Sequence, residues 1–271
     1  LFERLESSAL EAADAVLTIS PALAEVARER MSDPSRHVLL ENCVLDRVRL
    51  KGNTSGVRAS ADPSPSSDED AAALWPDDWA DADVVVYAGT LEPYQGIDLL
   101  LEAFAAVRQA RPAARLLVVG GSDPQVASYQ ALADRLELRD ACRFAGSVPQ
   151  PTARALMERA SVLVSPRTRG TNTPLKVYEL LASGIVFVAT RIESHTQVLD
   201  DSVCVLVEPR PAAFAEGLLA ALEGGEGMRR RVERARRLYD ERYSRGAYRA
   251  RLAAVLDRLA PPGKEIEIPA S

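Results

Sequence analysis

Val84-Val85-Val86-Tyr87-Ala88 is an unbroken apolar run that stops at Gly89, the pattern of a strand buried on both faces. From Ile97 to Gln109 the apolar residues Leu100, Leu101, Phe104 and Val107 fall at the spacing of one helical face. The alternation then repeats. Strands are predicted at Arg115 to Val119, Ala141 to Ala145, Ser161 to Ser165, Ile185 to Ala189 and Val203 to Val207, and helices at Pro124 to Leu136, Thr152 to Glu158 and Pro174 to Ala182. Six apolar strands separated mostly by helices predict an α/β fold, a doubly wound parallel sheet with helices on both faces. Ligands of such sheets bind beyond the carboxyl ends of the strands.

The flanks have other patterns. Ala15 to Ile19 and Val38-Leu39-Leu40 read as short strands, and Ser20-Pro21 starts a helix running to about Arg30. These residues are too few for a domain and read as the tail of an upstream one. Between Ala59 and Asp83 there are eight acids and no Lys or Arg, the composition of a solvated, disordered linker. After Pro211 the chain is helical, and Arg229 to Arg251 holds ten arginines against three acids. That cluster reads as a solvated helix face, with contact to acidic lipid or phosphate as the alternative. The expected divisions are therefore residues 1–50, a linker over 51–82, the main domain over 83–226, helices over 227–260 and a disordered tail over 261–271.

Composition narrows the function. Lys plus Arg is 33 and Asp plus Glu is 39, a net charge of -6, which argues against a nucleic-acid partner. No run of eighteen apolar residues exists, and the start carries Glu3, Arg4 and Glu6, so neither a spanning helix nor a signal peptide is expected. Cys43, Cys142 and Cys204 read as buried free thiols, which suits a cytoplasmic setting. With two histidines, His37 and His195, no metal site is expected. No Walker phosphate loop, H-E-x-x-H or G-x-S-x-G is present.

Candidate chemistry gathers in the loop Ser165 to Lys176, at the end of the fourth strand. Thr173 suits a helix N-cap, Pro174 the first helical position and Gly184 the stop. Lys176, one of only three lysines, then lies in the first turn, where a cation opposes the helix dipole by about 0.3–1 kcal/mol. Arg167 and Arg169 stand just upstream. An anion such as phosphate would relieve the repulsion of three cations; the alternative is an ordinary Lys176–Glu179 pair at i, i+3. Glu179, about 7.5 Å along the helix from Pro174, is placed to accept from a ribose diol. The loop Gly89 to Gly96 would let backbone approach a ligand. His195 is either a ligand contact or a polar residue at a helix start.

Two segments carry a family resemblance: Tyr87-Ala88-Gly89-Thr90-Leu91-Glu92-Pro93-Tyr94-Gln95-Gly96-Ile97-Asp98, and Pro174 to Gly184 with Glu179-Leu180-Leu181-Ala182-Ser183-Gly184 like E-x-x-A-x-G. Together they resemble the retaining glycosyltransferases of family 4, which have the GT-B fold of two Rossmann-like domains. The likeness is to the C-terminal, donor-binding domain over Val84 to Pro209, with a weaker match at residues 13–20 and 41–46. It implies that residues 83–226 bind a nucleotide-diphosphate sugar, that residues 1–50 are a remnant of the acceptor-side domain, and that a sugar passes with retention to a carbohydrate or lipid-linked acceptor in surface polysaccharide or glycolipid synthesis. No metal or other cofactor is implied, and peripheral contact with the inner membrane face is. Glu179 takes the ribose role. The partner glutamate of the family's E-x7-E pattern falls on Thr171, and its diphosphate-binding Arg and Lys fall on Thr90 and Gln95. The resemblance and the residues together put Lys176, Arg169 and Thr171 in catalysis and Gly89, Thr90, Gln95, Arg167, Asn172, Thr173, Leu175 and Glu179 in donor binding, with the nearby cations replacing the two missing charges. The lost charges leave a rival reading, a non-catalytic nucleotide-sugar-binding domain or a donor half needing a partner. A GT-B epimerase would need a carboxylate pair that the sequence does not offer.

Overall fold

A computed structural model describes residues 2–43 and 66–259. The chain begins with α1 (Phe2–Ala12), β1 (Val16–Thr18), α2 (Pro21–Arg30) and β2 (His37–Leu39). β1 and β2 pair in parallel as a two-stranded sheet, and the Ser20 hydroxyl accepts from Leu23 N at the start of α2. Residues 44–46, part of the weaker family match, lie outside the described residues, as do residues 51–65 of the expected linker and the tail 261–271.

The remainder of the expected linker is folded. α3 (Ser66–Leu74) packs on the main domain through Ala71, and Trp79 is buried. Trp75 meets Trp79 edge-on, with ring centres 6.3 Å apart. Apolar residues spaced along an acidic stretch are enough to dock a short helix, and Asp68 and Glu69 in its first turn suit the helix dipole. Charge counting alone hides that spacing.

The main domain runs β3 (Val84–Ala88), α4 (Ile97–Ala110), β4 (Arg115–Val119), α5 (Asp123–Arg135), β5 (Cys142–Gly146), α6 (Gln150–Glu158), β6 (Val162–Ser165), α7 (Lys176–Ala182), β7 (Phe187–Thr190), α8 (Glu193–Thr196), β8 (Val205–Val207) and α9 (Pro211–Glu223). Its six strands are all parallel, in the order β5-β4-β3-β6-β7-β8. The twofold side-chain period divides each strand between two cores. Val85, Tyr87, Leu116 and Val118 face Leu100, Phe104, Phe214 and Leu218 of α4 and α9. Val84, Val86, Leu117 and Phe187 face Leu156, Tyr178 and Leu181 of α6 and α7. Strand order reverses between β3 and β6, so a crevice opens where their carboxyl ends diverge.

The C-terminal part is α10 (Glu226–Leu238), a π-helical turn (Tyr239–Tyr243) and α11 (Arg245–Leu259). The arginine cluster is used largely within the protein. Arg231 donates to Asp201 O at 3.0 Å and Arg236 to Ala182 O at 2.6 Å, while Arg229 and Arg230 pair with Glu226. Cys43, Cys142 and Cys204 are free thiols, two of them buried.

Candidate nucleotide site

The loops after β3 and β6 close on one another at the crevice. Thr168 N donates to Tyr94 O at 2.9 Å, and the Arg167 guanidinium stacks over the Tyr94 ring, 5.0 Å from its centre. Gly96 makes the contact possible. Its φ is +71°, and a Cβ there would lie 2.2 Å from Pro166 O, so any other residue is excluded by conformation and by space.

Lys176 crosses this junction from α7. Its Nζ lies 4.0 Å from the centre of the Tyr87 ring and 3.5 Å from Gln95 Oε1; Gln95 Nε2 in turn donates to Thr90 Oγ1 at 3.3 Å. A Cβ on Gly89 would stand 2.7 Å from the same Nζ. The ammonium therefore turns to Tyr87 and Gln95 rather than to Glu179. Burial and the Arg167 charge, with Glu179 opposing, push the Lys176 pKa down to about 7. An anion entering here would restore the charged form.

A cavity of 540 Å³ opens from this point, lined by Gly89, Lys176, Glu179, Ala153, Arg236 and Tyr239 among others. That volume suits a nucleotide-sized ligand. Of the residues singled out from the sequence, Gly89, Lys176 and Glu179 line the cavity, Gln95 and Thr90 follow from Lys176 behind it, and Arg167 stays on the Tyr94 ring. Arg169, Thr171 and Asn172 are exposed on the loop; the Arg169 carbonyl accepts from Arg167 Nε at 2.6 Å, and the Thr171 carbonyl accepts from Gln197 Nε2.

The start of α7 differs from expectation. Leu175, not Thr173, holds the N-cap position, with helical φ and ψ, and no side chain caps the helix. Thr173 has turned inward, its Oγ1 buried, so it cannot cap. Val177 N donates to Pro174 O at 3.0 Å, a tight turn leading into the helix at Lys176. Leu175 is 62% exposed. Gly184, φ +74°, ends the helix as expected.

His195 is a structural residue. It is fully buried; Nδ1 donates to Thr190 O at 2.8 Å and Nε2 accepts from Ser165 Oγ at 2.9 Å. Burial pushes its pKa down to about 4. The Thr190 hydroxyl donates to Arg167 O, so this node ties the ends of β6 and β7 to the site loop.

Sequence reasoning missed the wall formed by Gln150, Ala153, Arg154 and Met157 of α6 and by Arg236 and Tyr239 from the C-terminal part. The only local signal is the polar stripe Gln150, Arg154 and Glu158 at intervals of four, which also describes an ordinary solvated helix face.

The model of the family Glycosyl transferases group 1 matches residues 78–238. The chain belongs to this family. Among curated relatives, it is 30% identical over 185 residues to a phosphatidyl-myo-inositol mannosyltransferase of Mycobacterium tuberculosis strain H37Rv, a match covering 65% of this chain and 47% of that protein. It is 34% identical over 155 residues to a D-inositol 3-phosphate glycosyltransferase of Segniliparus rotundus, covering 54% of this chain and 34% of that one. Each match thus spans about half or less of the relative's length. Anabaena Alr3699/HepE in complex with UDP and glucose is similar in fold, with TM-score 0.70 and 17% identity, covering 94% of this chain and 66% of that one. Sucrose-phosphate synthase of Thermosynechococcus elongatus gives TM-score 0.66 at 23% identity, covering 94% and 61%. The group 1 chain described here therefore has the GT-B-type fold, its main domain the Rossmann-like half. Among the described residues no helix is long and apolar enough to cross a membrane.

Proposed function

We propose that this group 1 chain holds the donor in sugar transfer from a nucleotide-diphosphate sugar, with retention of configuration at the transferred carbon. The diphosphate lies against Gly89 and Lys176 on the cavity side, and the ribose diol donates to Glu179. The observation that carries this reading is the Lys176 ammonium, set between Gly89 and Gln95 at the topological switch point of the sheet. As the bond to the sugar breaks, charge grows on the departing diphosphate, and a cation fixed beside it stabilises that state more than the ground state. Lys176 is the principal catalytic group in this reading. Arg167, stacked on Tyr94, adds positive potential, and Arg169 reaches the mouth of the site. Thr171, Asn172 and Leu175 line the approach, Thr173 supports the loop from within, and Thr90 binds indirectly by orienting Gln95. The charge comes from side chains, with no metal and no other cofactor.

The names of the curated relatives favour an inositol-containing or lipid-linked acceptor, and a carbohydrate acceptor fits the same chemistry. The proposed setting is the cytoplasm, at the inner face of the membrane, in surface polysaccharide or glycolipid synthesis.

Calorimetric titration with UDP, GDP and the matching nucleosides tests the donor site. The Lys176→Ala variant is expected to lose about 10- to 100-fold in diphosphate affinity, the worth of one charged hydrogen bond, with little change for nucleoside. Equal weakening of both, or no binding of any diphosphate by the unaltered protein, overturns the reading.

A further inference from the structure

Glu41 directly follows the two-stranded sheet: the preceding Leu40 N donates to Thr18 O at 2.8 Å. Its residue is 2% exposed and its side chain fully buried. Arg242 Nε lies 3.0 Å from Oε2 and Arg251 Nη1 3.7 Å from the same oxygen, and the Tyr243 hydroxyl stands against the same buried carboxylate. A buried carboxylate is costly even when paired, and apolar packing of similar volume would stabilise the fold at least as well.

The surroundings connect it to the nucleotide cavity. Tyr243 packs its ring on Tyr178 at 4.9 Å, and the Glu41 charge raises the hydroxyl pKa of both tyrosines in addition to burial. Tyr178 belongs to α7, between Lys176 and Glu179, and its hydroxyl is buried beside Thr173 of the site loop. Arg242 and Tyr243 end the π-helical turn whose first residue, Tyr239, lines the cavity. Turns of this kind are rare and concentrate at functional sites. One turn of backbone thus touches the cavity at one end and the Glu41 carboxylate at the other.

We propose that Glu41 is a positioning residue for the donor site: its carboxylate, held by Arg242 and Arg251 against Tyr243 and Tyr178, sets the orientation of α7 and with it the places of Lys176 and Glu179. A seven-residue helix has little rigidity of its own, so its setting is dictated by what grips it. Arg236 holds its last carbonyl, Ala182 O, and the Glu41 cluster holds its middle. The residues before the main domain then contribute to donor affinity without touching the donor. This rests on the reading of the cavity as a nucleotide-diphosphate site.

The test is UDP and GDP titration of the full chain carrying Glu41→Gln, at a temperature where circular dichroism shows it folded. Affinity is expected to fall about tenfold. Amide exchange over residues 239–243 should slow with nucleotide in the unaltered protein and no longer respond in the variant. Adding Arg242→Met to Glu41→Gln should cause no further loss, because Arg242 acts through the carboxylate. Unchanged affinity and unchanged exchange response, with only a lower melting temperature, would show a purely structural ion pair and overturn the proposal. Should Glu41→Gln not fold, the half-exposed Arg242→Lys reads the same point: weaker nucleotide binding at unchanged melting temperature supports it, and unchanged binding overturns it. Absence of binding by the unaltered protein strikes the donor-site reading itself, separately from any effect of Glu41.

Discussion

The Lys176 ammonium rests 4.0 Å from the centre of the Tyr87 ring. Tyr87 lies next to the end of a buried strand and is itself pinned, its hydroxyl donating to Thr90 O at 2.6 Å. The ring therefore offers a fixed apolar and weakly electronegative face on which a desolvated amine is held ready beside Gly89.

This placement makes nucleotide binding a protonation event. With its pKa near 7 in the free protein, Lys176 is largely neutral at pH 8.5 and must take up a proton when a diphosphate arrives. Calorimetry in buffers of different ionisation enthalpy should show uptake approaching one proton at pH 8.5 and little at pH 6. Buffer-independent heats at pH 8.5 would contradict it.

The same group affects folding in the opposite sense to an ordinary ion pair. Unfolded, the lysine keeps its proton to about 10.5, whereas folded it loses it near 7. The unfolded chain binds more protons between these values, so stability rises with pH across pH 7 to 10.5. Lys176→Met should flatten that rise, read as the pH dependence of urea midpoints relative to the unaltered protein.

His195 gives an acid limit. Its ordinary pKa of 6.5 falls to about 4 in the folded state, so the unfolded chain protonates first, and stability is lost as pH falls from 6.5 through 4. The expected loss is on the order of 3 kcal/mol. His195→Gln, whatever its own stability, should show a shallower slope over that window; an equal slope would mean that other groups govern acid unfolding.

Gly89 and Gly96 have separable roles. Gly96→Ala meets Pro166 O and a left-handed φ, and should cost at least about 2 kcal/mol in denaturant unfolding. Gly89→Ala also carries a backbone cost at φ +153° but meets Lys176 Nζ and the Tyr87 hydroxyl rather than backbone, so diphosphate affinity should suffer more than the stability loss of Gly96→Ala would predict. Equal ratios of affinity loss to stability loss in the two variants would remove the distinction.

Glu179→Ala should weaken a ribonucleoside diphosphate by about 1.5–3 kcal/mol, the range for hydrogen bonds to charged groups. The 2′,3′-dideoxy analogue should be insensitive to the substitution. A loss shared by both nucleotides would assign Glu179 another role.

The apolar runs from Val84 to Val207 determine the sheet, because residues that cannot face water must pair and alternate between two cores. Gly89, Gly96 and Gly184 were legible too, since turns with positive φ or close backbone contact demand glycine. So was the family, carried by the Tyr87 to Asp98 and Pro174 to Gly184 segments. Tertiary structure alone decided where charges and hydrogen bonds go. Nothing local says that Lys176 turns to Tyr87 instead of Glu179, or that Thr173 faces inward and leaves the cap to Leu175. Arg236 and Tyr239 reach a cavity whose other walls come from residues 88 to 183, and Glu41 meets Arg242 across 201 residues of sequence. Hydrophobic burial is proportional to area and leaves a periodic trace along the chain, whereas an ion pair or a ring stack depends on which distant side chain arrives within a few ångströms, and the linear order of residues carries no record of that distance.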